Sequence, residues 1–121
     1  MFEADKKPKG FTRIYRATLN SVKAFKWLIT NEAAFRQEFV LLMLAIPLTF
    51  AFDITLEEQI ILVLSILFVM FTEIVNTAIE AVVDRIGLEI HPLSGLAKDL
   101  GSAAVTLGLI MAVLVWVIVL I

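Results

Sequence analysis

The chain has 121 residues, enough for one domain, and 60% of them are hydrophobic. A mean hydropathy of +0.95 excludes an ordinary soluble globular protein and indicates a small membrane protein. The formal net charge is only −2, and no nucleic-acid partner is expected. The absence of cysteine excludes disulfide bonds and thiolate chemistry.

Basic residues are concentrated at the start of the chain, where the first 26 residues hold seven of the ten Lys and Arg. We expect residues 1–10, which are charged and contain Pro8 and Gly10, to form a mobile tail. Over residues 11–29, apolar side chains recur at steps of three and four with basic residues between them. This pattern predicts a helix that lies on the membrane surface, with an ordinary soluble amphipathic helix as the alternative.

Three apolar segments follow, and we expect each to cross the membrane as a helix. The uncharged run 39–52 rises only about 21 Å, less than a hydrocarbon core of about 30 Å, so the first span should begin near Asn31. The first predicted span is therefore 31–52. Pro47 is expected to kink it.

The limits of the next two spans are indicated by capping residues. Thr55 and Glu58 have the spacing of a capping box, and Gly87 suits a helix C-cap, which predicts a helix over 56–86. Ser94, which follows Pro92, is expected to cap the third span, 94–121.

The distribution of basic residues predicts the orientation. All ten Lys and Arg lie before the first apolar run or between the second and third, and the acidic loop 53–59 holds none. By the positive-inside rule, the N-terminus is then cytoplasmic and the C-terminus is outside.

A polar stripe on the second predicted span is the strongest candidate for a functional site. At about 100° per residue, its side chains fall within an arc of roughly 100° on a helix that is otherwise apolar. Carboxylates at membrane depth are costly and nearly always face a partner or a wet cavity. The stripe consists of Glu73, Asn76, Thr77, Glu80 and Asp84.

Polar groups of the stripe, and two charged residues outside it, Glu32 and Lys98, could take part in chemistry or have a structural role. Glu32 and Glu80 could bind magnesium together with substrate phosphates. Glu73 could act as a general base on a lipid hydroxyl, or it could only form a hydrogen bond across a helix interface. Asn76 could hold a substrate or simply join two helices. Lys98 could neutralise phosphate or mark the cytoplasmic side.

Three segments of the chain resemble the prokaryotic diacylglycerol kinases. They are Asn31–Glu38, Glu73–Arg85 and Ala97–Ala103, and Gly10–Ile14 is also similar to the start of that family. The resemblance implies an all-α membrane protein with an N-terminal surface helix and three transmembrane helices, assembled as a homotrimer with sites shared between subunits. It implies transfer of the γ-phosphoryl group of ATP, with Mg²⁺, to the sn-3 hydroxyl of diacylglycerol in the bacterial inner membrane.

The resemblance also implies roles for individual residues. Glu73 would be the catalytic base, and Glu32 and Glu80 the metal ligands, with Asn76 and Asp84 in support. The residues implied to contact the nucleotide are Arg13, Asn20, Glu32, Glu80, Glu89, His91, Lys98 and Asp99. Those implied to contact the lipid substrate are Arg13, Ala17, Ser21, Trp27, Ala34, Glu38, Glu73, Ser102 and Trp116.

Three alternatives remain open at the level of the sequence. An undecaprenol kinase of the same fold would use similar motifs on a polyprenol. A small proton-coupled exporter would use a membrane carboxylate to bind protons and cations. A scaffolding subunit would use the Glu73 stripe only to pack helices.

Overall fold

A computed structural model describes residues 4–121, and within that range the chain is helical without any strand. The all-α prediction is therefore confirmed. A 3₁₀ turn, Ala4–Lys6, precedes four α-helices. These helices are α1 (Gly10–Asn31), α2 (Ala33–Thr49), α3 (Leu56–Ile86) and α4 (Pro92–Leu120).

The described residues divide into two compact units between Ala33 and Ala34. The first unit contains α1 and the second contains the remainder of the chain. The predicted tail, residues 1–10, lies partly outside the described residues. Its described part includes the 3₁₀ turn, and Gly10 already belongs to α1.

Helix α1 is amphipathic and ends at Asn31, where the first span was expected to begin. The Asn31 side-chain amide donates a hydrogen bond to the carbonyl of Trp27 at 2.9 Å and so satisfies a carbonyl in the last turn. Glu32 is extended, with φ −110° and ψ 107°. A side chain that bonds its own helix end in this way competes with continuation of the helix.

Both caps predicted for α3 are confirmed. The Thr55 hydroxyl accepts from the backbone N–H of Glu58 at 3.2 Å, and the Glu58 carboxylate accepts from the N–H of Thr55 at 3.1 Å. Gly87 is the C-cap residue, and its N–H donates to the carbonyl of Val83 at 3.2 Å. Because both caps are made by neighbours in the sequence, α3 has the predicted limits.

The prediction that Ser94 caps the last helix is wrong. His91 is the N-cap of α4, and its Nδ1 accepts from the N–H of Leu93 at 3.1 Å. Pro92 occupies the first helical position, where its missing N–H costs nothing and its fixed φ suits a helix. The helix therefore begins two residues before the predicted start at residue 94.

Two of the described helices, α3 and α4, are long and apolar enough to cross a membrane. Helix α2 has 17 residues, which rise about 26 Å. Pro47 lies inside α2 near its end. There the N–H groups of Phe50 and Ala51 donate hydrogen bonds to the carbonyls of the residues three positions earlier, at 3.2 and 3.0 Å.

Helices α3 and α4 pack tightly because glycines form the α4 side of the contact. Gly101 and Gly108 are the buried residues of α4, whereas its remaining side chains are exposed or partly exposed. A Cβ on Gly108 would lie 3.2 Å from both Cγ2 and Oγ1 of Thr72. Small residues allow helix backbones to approach closely, as is usual in membrane helix pairs.

Trp116, near the C-terminal end of α4, joins this helix to the N-terminal half of α3. Its indole N–H is directed at the hydroxyl of Ser65 at 3.0 Å and the carbonyl of Leu62 at 3.3 Å. The Ser65 hydroxyl in turn donates to the Leu62 carbonyl at 2.6 Å. A polar link thus supplements the glycine contacts.

The packing predicts that Gly108→Leu destabilises the protein. A large side chain cannot enter the contact with Thr72 unless the helices separate, and overpacking of this kind costs about 1–3 kcal/mol. The free energy of unfolding in micelles measures the effect. Gly95→Leu is the matched control, because a Cβ on Gly95 of the same helix meets nothing within 4 Å. Equal stability of the two variants would contradict the prediction.

Candidate functional site

The polar stripe of α3 continues the line of buried apolar residues on that helix. Glu73 and Thr77 are buried, with exposed fractions of 8% and 9%, and they follow Val69 and Met70 at helical spacing. Asn76 and Glu80 are partly buried, and Asp84 is exposed. The stripe therefore runs from the packed part of α3 to its solvent-accessible end.

Asn76 and Glu80 are linked directly. The Asn76 side-chain amide donates to Oε1 of Glu80 at 3.2 Å, across one turn of α3. Within residues 4–121, the other end of that amide, Oδ1, is buried without a hydrogen-bond partner, as is the hydroxyl oxygen of Thr77. Buried polar atoms without partners are rare and often mark a functional position.

A second membrane carboxylate lies near Glu73. Glu38, on α2, is partly buried, and its carboxylate and that of Glu73 are close enough to interact electrostatically. Oε1 of Glu38 is also buried and unpaired within the described part of the chain. Two carboxylates that are at least partly buried therefore lie on different helices of the second unit.

An apolar groove of about 560 Å³ lies among α2, α3 and α4. Glu38 is its only ionisable residue, and Val69, one turn from Glu73, also lines it. Trp116 and Val117 lie on its α4 side. The groove therefore combines apolar walls with one carboxylate that is electrostatically coupled to Glu73.

An ion pair joins α3 and α4 at the end of the polar stripe. Nζ of Lys98 lies 2.8 Å from Oδ1 of Asp84, and both side chains are about half exposed, at 46% and 50%. Asp99 and Ser102, also on α4, are exposed. The ammonium group of Lys98 is therefore accessible to an anion from solvent, and its ion pair with Asp84 holds it beside the stripe.

Glu89 and His91 border a different cavity, of about 730 Å³, formed by the end of α3, the connecting loop and the start of α4. Its other lining residues are mainly apolar. The Glu89 carboxylate lies directly over Gly87, where a Cβ would overlap it. Neither Lys98 nor Asp99 lines this cavity, although Ala97 does.

The remaining candidate residues lie on α1 or beside it. Arg13, Ala17 and Ser21 share one face of α1, along a shallow groove of about 430 Å³. Asn20 and Trp27 are exposed on the same helix, and Glu32 is the extended residue that follows it. Ala34 belongs to the first turn of α2, where it is partly buried.

Magnesium needs oxygen ligands, which the carboxylates of the stripe can supply. Within residues 4–121, no group of three or more Asp, Glu, His or Cys is arranged to hold a metal ion. Magnesium, however, usually takes only one or two protein carboxylates, with substrate phosphates and water as the other ligands. A partly buried carboxylate at Glu80, held by the side-chain N–H of Asn76, fits that requirement.

The sequence pattern did not identify Gly101 or Thr72, which the structure places around the stripe. Gly101 is buried on α4, and a Cβ there would overlap Oδ1 of Asn76. The available signal was the seven-residue separation of Gly101 and Gly108, which puts both on one face of a helix.

Comparison with known proteins identifies relatives over most of the chain. Residues 19–120 match the family model described as prokaryotic diacylglycerol kinase. The chain is 50% identical over 111 residues to a diacylglycerol kinase of Escherichia coli (strain K12), covering 92% of this chain and 91% of that protein. It is 46% identical over 110 residues to one of Haemophilus influenzae, covering 91% and 93%. Against one of Pseudomonas aeruginosa the identity is 41% over 107 residues, covering 88% and 87%.

Proposed function

Because the chain belongs to the prokaryotic diacylglycerol kinase family and is a lipid kinase, we propose that it phosphorylates the sn-3 hydroxyl of diacylglycerol with ATP. The product is phosphatidic acid. The observation that carries the proposal is the apolar groove among α2, α3 and α4, whose one ionisable residue, Glu38, is electrostatically coupled to buried Glu73.

The groove suits a lipid because its apolar walls can cover acyl chains while its carboxylate meets the hydroxyl end. Trp116 lines this groove and is held by its hydrogen bonds to α3. Ser102 lies about four turns before Trp116 on α4, and Ala34 lies on α2 one turn before Glu38. We also assign Arg13, Ala17, Ser21 and Trp27 of α1 to binding of the lipid substrate.

Glu73 is proposed to be the general base. Its carboxylate accepts the proton of the lipid hydroxyl as the hydroxyl oxygen forms a bond to the γ-phosphorus of ATP. The bond from that phosphorus to the β-phosphate oxygen breaks, and ADP leaves with the electron pair. Burial of Glu73 excludes water, which otherwise competes with the lipid as acceptor.

Glu80 and Glu32 are proposed to hold the magnesium that accompanies ATP, and Asn76 orients the Glu80 carboxylate through its hydrogen bond. When bound, magnesium neutralises charge on the β- and γ-phosphates. Lys98, held beside the stripe by Asp84, contributes further positive charge, with Asp99 next to it. Arg13, Asn20, Glu89 and His91 are assigned to the rest of the nucleotide.

We further propose that α2 is a third membrane span and that three copies of the chain assemble with shared sites. Most large apolar side chains of α4 are exposed in the single chain, which supports their burial in lipid or against other subunits. The proposed location is the bacterial inner membrane. By the positive-inside rule, the N-terminus is cytoplasmic and the C-terminus is on the opposite side.

The proposed activity is tested by ATP consumption of the purified protein in micelles. We expect turnover that requires both diacylglycerol and Mg²⁺, and that is abolished when EDTA removes the metal. Turnover with undecaprenol but not diacylglycerol would keep the mechanism and overturn the substrate. Absence of turnover with either lipid would overturn the proposed function and favour the exporter or the scaffolding subunit.

Glu73→Gln is expected to lower turnover by about 10²- to 10⁴-fold, the usual contribution of a general base. The amide keeps the size of the side chain, so thermal unfolding should change little. Glu57→Gln is the matched control, because Glu57 is exposed in the first turn of the same helix. Turnover of Glu73→Gln close to that of the control would contradict the role as base.

Glu80→Gln is expected to raise the Mg²⁺ concentration that gives half-maximal turnover. The neutral amide is a weaker ligand for a hard cation, whereas its oxygen can still accept the hydrogen bond from Asn76. A Mg²⁺ titration at saturating ATP and lipid measures the shift. A titration that coincides with that of Glu57→Gln would argue against a metal role for Glu80.

A further inference from the structure

Gly101 occupies a position that cannot carry a side chain without moving Asn76. The residue is buried on α4, and a Cβ built on it would overlap Oδ1 of Asn76 and lie 3.3 Å from the amide carbon. The next neighbour, Cδ1 of Ile79, would be at an ordinary 3.6 Å. The space left by the missing side chain is therefore filled specifically by the Asn76 amide.

The other end of that amide holds Glu80. Nδ2 of Asn76 donates to Oε1 of Glu80 at 3.2 Å, so a single planar group touches Gly101 on one side and the carboxylate on the other. The amide is rigid, and displacement of Oδ1 must rotate or shift Nδ2 as well. A side chain at position 101 would thus disturb the hydrogen bond that orients Glu80.

We infer that Gly101 is a positioning residue for phosphoryl transfer, because its missing side chain lets Asn76 hold the Glu80 carboxylate in place. The inference rests on the proposed function, in which Glu80 binds the magnesium of ATP. Residues that orient metal ligands typically change metal affinity or activity by about 10- to 100-fold when they are mutated.

A substitution at Gly108 is the control that distinguishes this positioning role from a role in helix packing alone. It is buried on the same face of α4, two turns further along, and a Cβ there would press on Thr72 at 3.2 Å. The Thr72 hydroxyl donates to the Val69 carbonyl at 2.7 Å and makes no hydrogen bond to Glu80. Gly108→Ala therefore crowds the same helix pair without moving the Asn76 amide.

The first measurement compares Gly101→Ala and Gly108→Ala in the full chain. In Gly101→Ala, the Mg²⁺ concentration for half-maximal lipid-dependent turnover should rise about 10- to 100-fold. In Gly108→Ala it should stay at the parental value, whatever happens to stability. Equal titrations for the two variants would overturn the inference and leave Gly101 a packing residue.

The second measurement needs no turnover. The side-chain amide resonance of Asn76, identified in ¹⁵N spectra by its loss in Asn76→Ala, should shift in Gly101→Ala protein without nucleotide or metal. It should be unchanged in Gly108→Ala. An unshifted Asn76 signal in Gly101→Ala would overturn the inference.

The third measurement combines Asn76→Ala with Gly101→Ala. With the amide removed, the added Cβ has nothing to displace, so the double variant should match Asn76→Ala in its Mg²⁺ titration. If Gly101→Ala alone fails to fold, Asn76→Ala should restore folding, and failure to do so would overturn the inference. Absence of lipid-dependent turnover in the unmodified chain, by contrast, would refute the proposed function itself.

Discussion

The close contact between α3 and α4 is the constraint on which the rest of the second unit depends. Gly101 and Gly108 lack the side chains that would keep the helices apart, and polar groups of α3, Asn76 and Thr72, fill the spaces they leave. In a membrane, apolar side chains gain little by leaving lipid for a helix interface, so close packing and polar contacts must supply the association. The indole–hydroxyl link from Trp116 to Ser65 adds a directional contact to the same pair.

This contact also makes a buried polar stripe possible. A carboxylate at the middle of a membrane helix costs about 2.5–3.5 kcal/mol by insertion scales, so Glu73 is tolerable only where lipid is excluded. The stripe changes along α3 from buried Glu73, through partly buried Glu80, to exposed Asp84. In the proposed mechanism, the base is therefore the group shielded from water, and the charged groups assigned to phosphate lie where ATP can reach them.

The outer faces of the helices carry exposed apolar side chains that need to be covered. Most large apolar side chains of α4 are exposed, and α1 is amphipathic, with basic residues among its exposed side chains. A polypeptide with such surfaces requires lipid, other subunits or both. The groove that contains Glu38 is one such apolar surface.

By itself, the sequence determined the features that depend on neighbouring residues. It predicted the limits of α3, because Thr55, Glu58 and Gly87 make their caps within one turn, and it predicted that Glu73 shares a helix face with Glu80. Local reasoning failed where two local signals competed. His91 with Pro92 begins α4 in preference to Ser94.

Only the tertiary structure decided which residues meet across helices. No spacing within α3 or α4 indicates that Gly101 lies under the Asn76 amide, because that contact depends on how closely two backbones approach. The coupling of Glu38 to Glu73 likewise depends on the placement of α2 beside α3. Periodicity identifies the face of a helix that carries polar groups, whereas the partner that each group meets follows from the packing of one helix against another.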